Sequence, residues 1–240
     1  MTGRSYLIPE IKPTTTDLTV YNGRRTVTRA LFNARFGPYM QNTTVLSGHG
    51  DGFAHFEINI NSITDTEVVI SWTYSRDGSS SVSPSLQLSQ PHPKIATAII
   101  TELAQLRDLA APFNLLIEKK EMEDDTLYNW IMRSVRIPLK SLSALATKRI
   151  VLIGDAAHAM PIYKGTGGNQ ALVDSLELAS LLCLAKSDGS QQSTDLPDTQ
   201  LALAFYGKAY KRWQDATLAT ESKLRTLHRP IEALGASGSE

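Results

Sequence analysis

The sequence predicts an α+β fold: a mostly antiparallel sheet unit over residues 1–145, then a strand–loop–helix segment and C-terminal helices over residues 146–240. Three observations predict it. Residues 17–76 hold short β-rich runs divided by turn residues, and residues 94–110 repeat apolar side chains at helical spacing. Residues 150–153 form a continuous apolar run that leads through glycines into a long helical stretch.

The elements follow in chain order. Residues 18–21 and 26–28 are two β-rich runs. Residues 53–60 alternate from Phe56 onward, which puts Phe56, Ile58 and Ile60 on one face and Glu57 and Asn59 on the other. Residues 67–76 repeat the β-branched and aromatic signal, while 48–52 and 61–65 supply turns and 77–85 a polar surface loop. Ile99, Leu103 and Leu106 define a helix over 94–110, and the acidic-to-aromatic stretch 119–132 predicts a second one before an extended 135–137. The run Ile150, Val151, Leu152, Ile153 has the composition of a strand covered on both faces in a parallel sheet, so something must supply its neighbours. An amphipathic helix follows, with Cys183 expected as a small buried thiol. Residues 187–194 are a flexible linker. From Pro197 a helix runs to about His228, with Tyr206, Tyr210, Trp213, Thr217, Thr220, Leu224 and Leu227 forming its packing seam.

Composition removes several function classes. Lys+Arg and Asp+Glu are 24 each, so the net charge is zero and no polyanionic partner such as nucleic acid is expected. One cysteine excludes an intramolecular disulfide and a cysteine-based zinc cluster. His49, Asp51 and His55 lie close together without a third strong ligand, so no metal is assigned. No apolar run approaches the roughly 20 residues of a membrane span, and residues 1–10 lack a signal-peptide core. A cytoplasmic, reducing compartment is expected. There is no G-x-S-x-G elbow for a hydrolase.

The stretch 154–174 reads Gly-Asp-Ala-Ala-His, a proline at 161, then Gly165, Gly167, Gly168, Asn169, Ala171 and Asp174 in register. This string resembles the second flavin fingerprint of FAD-dependent monooxygenases of the aromatic-hydroxylase, p-hydroxybenzoate hydroxylase-like type. The flanks 130–145, Tyr206 and Arg212 look like the same family, so the resemblance covers most of the chain and is strongest over 130–185. It makes the segment after residue 146 a remnant of a flavin-binding domain and residues 1–145 a substrate-binding sheet.

The resemblance implies a cofactor-binding set of Gly154, Asp155, Pro161, Gly165, Gly167, Gly168 and Asn169, with FAD as cofactor and NAD(P)H as reductant. Asp155 would take the ribityl contact, and the Gly168 and Asn169 amides would face the flavin ring. Gly154, Gly165 and Gly167 would serve the backbone geometry. It assigns no catalytic residue, and His158 is expected as a packed, hydrogen-bonded histidine. Two departures stand out. Many relatives carry two adjacent prolines after the histidine, where this chain has Pro161 and Ile162. No G-x-G-x-x-G follows a strand, and residues 77–82 mimic the family's middle Asp-Gly motif without its closing arginine. Autonomous FAD binding is therefore expected to be weak or absent.

Three function classes remain open on the sequence. The first is an FAD-dependent monooxygenase acting on an aromatic or polycyclic small molecule, as in secondary metabolism. The second is a flavin-free descendant catalysing a cyclisation or isomerisation, with Asp155, His158 and Tyr163 as nearest acids and bases. The third is a non-catalytic binding subunit or a fragment from an incorrect gene model. A homodimer or partner chain is expected to cover residues 149–154.

Overall fold

The computed structural model describes residues 3–50, 54–78, 93–106, 109–118, 122, 125–187 and 198–228. Its strands are β1 (Thr14–Thr15), β2 (Leu18–Thr28), β3 (Val45–Gly50), β4 (Ala54–Ile63), β5 (Glu67–Asp77), β6 (Thr126–Asn129) and β7 (Arg133–Ser134). Its helices are α1 (Gly3–Leu7), α2 (Arg29–Arg35), α3 (Pro93–Leu103), α4 (Phe113–Leu116), α5 (Leu139–Ala146), α6 (Asp155–His158), α7 (Thr166–Ser187) and α8 (Asp198–Leu227). Among the described residues every strand pairing is antiparallel, in keeping with the mostly antiparallel sheet expected. Among the described residues no helix is long and apolar enough to cross a membrane.

The chain forms two compact units: residues 17–131 with 226–240, and residues 1–16 with 132–225. This division differs from the expected boundary near residue 145. The first sixteen residues join the second unit because β1 pairs with β7, Thr14 opposite Ser134 and Thr15 opposite Arg133.

The sheet unit is five-stranded, in the order β3-β4-β5-β2-β6. The alternation expected at 56–60 places Phe56 and Ile58 in the core at 0% exposure, with Ile60 packed against it. β2 is one continuous strand rather than two runs, and it ends at Thr28, whose hydroxyl caps α2 by accepting from the Leu31 amide. Two expected turns are displaced. Gly48 and Gly50 belong to β3, where the rings and side chains of Phe113 and Leu109 occupy the space a Cβ would fill. β4 continues through Ile63 before Thr64 and Glu67 close the hairpin. Asp51 and Phe53, and residues 79–85 of the polar loop, lie outside the described residues. His49 and His55 meet edge-to-face at 5.3 Å.

Buried charge ties this unit together. Asp125 is fully buried and accepts from Arg25 Nε at 2.7 Å and from Trp72 Nε1 at 2.8 Å. It precedes β6, and the helix expected over 119–132 is instead this strand at its centre, with Leu127 and Asn129 alternating inward. Four residues are too few for period two to compete with the helical pattern around them. Glu102 on α3 gathers Tyr21, Tyr74 and Arg76. Burial and the Glu102 carboxylate both push the Tyr74 phenol well above its ordinary value.

The second unit packs α5, α6 and α8 around Leu142, Leu145, Phe205, Tyr206 and Trp213. The α8 seam is real: Tyr206, Trp213, Thr217, Thr220 and Leu224 are all buried. Pro197 and residues 188–194 of the expected linker fall outside the described residues. The run 150–153 pairs with no strand among the described residues, which corrects the expected sheet strand. The Ile150 amide donates to Leu145 O, and the Leu152 amide donates to the Tyr206 hydroxyl at 2.9 Å. An apolar run signals burial, and here helices supply it. Cys183 is exposed rather than buried, and α7 is not cleanly amphipathic, since Leu172, Val173, Leu176 and Leu182 also face outward.

The tightest approach in the sheet yields a prediction. A Cβ at Gly23 would meet Trp72 Cε2 at 2.1 Å, and the hydrogen bond to Asp125 stops the indole from moving aside. Gly23→Ala is expected to lower unfolding free energy by about 1–3 kcal/mol in urea titration.

Candidate functional site

The site residues cluster where the chain leaves Leu152. Gly154 adopts φ 55, ψ −144, a conformation that favours glycine, and an added Cβ would lie 3.1 Å from Ala171 Cβ on α7. From there one helical turn, α6, closes with the Ala157 and His158 amides donating to Gly154 O at 2.9 Å. Asp155 opens this turn and is exposed, so its carboxylate is free to accept hydrogen bonds from a bound group.

Beyond α6, Pro161 is buried, and Ile162 in the expected second-proline position is 48% exposed. A 3-10 turn over Ile162–Lys164 ends at Gly165, which is left-handed at φ 60, ψ 17. The helix α7 starts at the next residue. Gly167, Gly168 and Asn169 are therefore part of the helix and not of the loop in the strand–loop–helix segment. Helical placement leaves the first-turn amides of α7 without intrahelical acceptors and at the positive end of the helix dipole. No described heavy atom lies within 4 Å of a Cβ built at Gly168, so that face is open.

A buried carboxylate sits behind the turn. Asp174 on α7 is 0% exposed and receives four donors. Oδ2 accepts from the Gly154 amide at 2.9 Å and from His158 Nε2 at 2.6 Å. Oδ1 accepts from Trp213 Nε1 at 2.8 Å and Arg212 Nη2 at 3.0 Å. Facing a carboxylate, His158 Nε2 must carry the proton. Its ring stacks on Trp213 at 4.5 Å and is 3% exposed, so it is the packed, bonded histidine that was expected. Burial alone would raise the Asp174 pKa, but the bonds from His158, Gly154 and Trp213 outweigh it and bring it down to about 2. Arg212 also reaches Gln170 and Glu177.

The sequence motif contained Asp174 but carried no sign of this convergence. It missed Arg4 altogether. That buried guanidinium donates Nη1 to Asp155 O at 3.1 Å and to Ala156 O at 3.4 Å from more than 150 residues away. A lone arginine in a five-residue helix gives no local signal of such a reach. Tyr163 is half-buried on the 3-10 turn.

The native Asp174 pKa lies below its ordinary 3.8, so the stabilisation is complete above that value and lost as pH falls from about 4 to about 2. The loss is about 2 kcal/mol. Unfolding free energy measured against pH by tryptophan fluorescence is expected to show this slope in the parent chain and to lack it in Asp174→Asn.

Comparison with known proteins finds similar sequences and similar folds. The FAD binding domain family matches residues 125–197. FAD-dependent monooxygenase adaC of Aspergillus niger is 32% identical over 234 residues, covering 95% of this chain and 54% of that protein. FAD-dependent monooxygenase nscC of Aspergillus fumigatus is 32% identical over 236 residues, covering 96% and 55%. The structure of 2,6-dihydroxypyridine-3-hydroxylase from Arthrobacter nicotinovorans shares the fold, with a TM-score of 0.63 at 13% identity over 94% of this chain and 55% of that one. The chain spans about half the length of the curated relatives it matches. Over 125–197 the chain is similar to the FAD binding domain family, and along 95–96% of its length it is similar to about half of each of these FAD-dependent monooxygenases.

Proposed function

We propose that this chain forms the flavin-facing and substrate-holding portions of an FAD-dependent monooxygenase that acts on an aromatic or polycyclic small molecule of secondary metabolism. The observation that carries this reading is the open first turn of α7. Gly168 has neither a positive φ nor a neighbour to explain the missing side chain, and a flat ring needs that close backbone approach.

When bound, FAD supplies the oxygen chemistry by which one atom of O2 enters the substrate and the other leaves as water, with NAD(P)H as electron source. The chain's own residues hold and orient it. Exposed Asp155 accepts hydrogen bonds from the ribityl hydroxyls. The Gly168 and Asn169 amides favour negative charge at the pyrimidine edge of the ring. Gly154 and Gly165 fix the backbone, Gly167 keeps the turn slim, and Pro161 walls the site. The sheet unit is the substrate-holding part of this reading, in a cytoplasmic protein suited to its single cysteine. The acid–base alternative is less favoured, because His158 is 3% exposed and its Nε2 proton is committed to Asp174.

This arrangement serves the ring and ribityl end of the cofactor, and the sequence has no G-x-G-x-x-G for the pyrophosphate. Riboflavin and FAD are therefore expected to bind with equal, weak affinity in a fluorescence titration. One equivalent of FAD surviving gel filtration would overturn this. Asp155→Ala is expected to weaken both by about 1.5–3 kcal/mol, and unchanged affinity excludes its ribityl role.

The exposed side of α7 asks for cover. Leu172 and Leu176, one helical turn apart, are 66% and 68% exposed, and neighbouring exposed apolar side chains mark an interaction surface. A second copy of the chain, or a partner chain, fits this face. Leu172→Glu with Leu176→Glu is expected to convert an associating protein to a monomer in gel filtration. A parent chain that stays monomeric at high concentration refutes the homodimer.

A further inference from the structure

The geometry points to Asp174 as the positioning residue of the Asp155 turn, gripping its donor end while Arg4 grips its acceptor end. This deepens the proposed function, since it rests on Asp155 facing the flavin. The turn is short: α6 has four residues, and a helix that short cannot hold its own geometry. Its fixed points come from elsewhere in the chain. At the start, the Gly154 amide donates to Asp174 Oδ2, and at the end His158 Nε2 donates to the same oxygen. One carboxylate oxygen thus spans the turn from its first amide to its last side chain.

The other oxygen anchors the carboxylate itself. Trp213 and Arg212, both on α8, hold Oδ1, so Asp174 has no freedom to follow the turn if the turn moves. On the opposite pole, the Arg4 guanidinium takes the carbonyls of Asp155 and Ala156, which a longer helix would have bonded internally. The Arg4 Nε is buried without a partner among the described residues, a cost this placement carries. Asp155 is thereby exposed as a side chain on a backbone locked at both ends, the condition for a preorganised contact.

The chemistry of the network selects a diagnostic substitution. All four groups around Asp174 donate, and none accepts. Asparagine keeps the shape but turns one oxygen into an NH2 that must face two donors. Asp174→Asn is therefore expected to free the turn as effectively as Asp174→Ala does.

The test uses amide hydrogen exchange on the whole, flavin-free chain. Asp174→Asn is expected to speed exchange at Ala157 and His158 by at least about tenfold while amides of residues 17–131 keep parent rates. Leu142→Ala, a core deletion outside the network, serves as the comparator for general loss of stability. It is expected to spare the selective change at 157 and 158. Arg4→Met, which leaves the carboxylate network intact, is expected to raise exchange at the same two amides and covers the case in which Asp174→Asn does not fold. Parent-like protection at 157 and 158 in both variants, or a loss spread evenly over 132–225, overturns the proposal. Riboflavin titration then separates the two readings. Affinity lost in Asp174→Asn but kept in Leu142→Ala supports positioning, and affinity insensitive to Asp155→Ala removes the flavin reading while leaving the exchange result to stand by itself.

Discussion

Burying an ionised carboxylate costs several kcal/mol unless donors surround it, and at Asp174 four donors from two separate segments do so. The arrangement of this unit follows from that requirement. Gly154 must bring its amide against α7, which forces a backbone at φ 55 and a small residue, Ala171, opposite. His158 must present Nε2 inward, which sets the length of α6 at a single turn. Trp213 and Arg212 must reach from α8, which fixes that helix's rotation and buries the seam from Tyr206 to Leu224. Removing the charge would leave several buried donors facing one another.

The sheet unit solves the same problem separately. Asp125 plays the part of the buried acceptor for Arg25 and Trp72, and Glu102 does so for Tyr21, Tyr74 and Arg76. In both units a carboxylate locks a tryptophan by its indole proton. Such bonds add orientation to packing that hydrophobic contact alone leaves free to slide. A ring fixed in this way permits glycine opposite it and penalises anything larger, as Trp72 does at Gly23.

These two layers of constraint explain which parts of the molecule were legible in the sequence. Period-two alternation over 56–60 and the four-three spacing of the α8 seam read correctly because each repeats over several residues and reports burial directly. The apolar run 150–153 was read as a sheet strand because composition reports burial but not the identity of the cover. Its amides go to Leu145 O and the Tyr206 hydroxyl. β6 was hidden inside a helical-looking stretch, and the outward turn of Cys183 was hidden by a helix apolar on more than one side. Motif residues at 154–174 were visible as a string, whereas Arg4 was not, since its role exists only after the chain has folded back on itself.

The glycines of the motif separate what the fold needs from what it leaves unexplained. Gly154 and Gly165 have positive φ values, so the backbone of this chain accounts for them. Gly167 and Gly168 are different. They occupy the first turn of a helix, where glycine is a weaker helix former than alanine. At Gly168 nothing described comes within 4 Å, and at Gly167 the nearest atom, on Met160, is at an ordinary 3.9 Å. Alanine would fit both positions and stabilise the helix. Neither backbone conformation nor packing in this chain accounts for these two glycines, in contrast to Gly154 and Gly165. The exposed Asp155 on its clamped turn belongs to the same motif by sequence and by chemistry, a carboxylate kept in water although the chain has donors to spare.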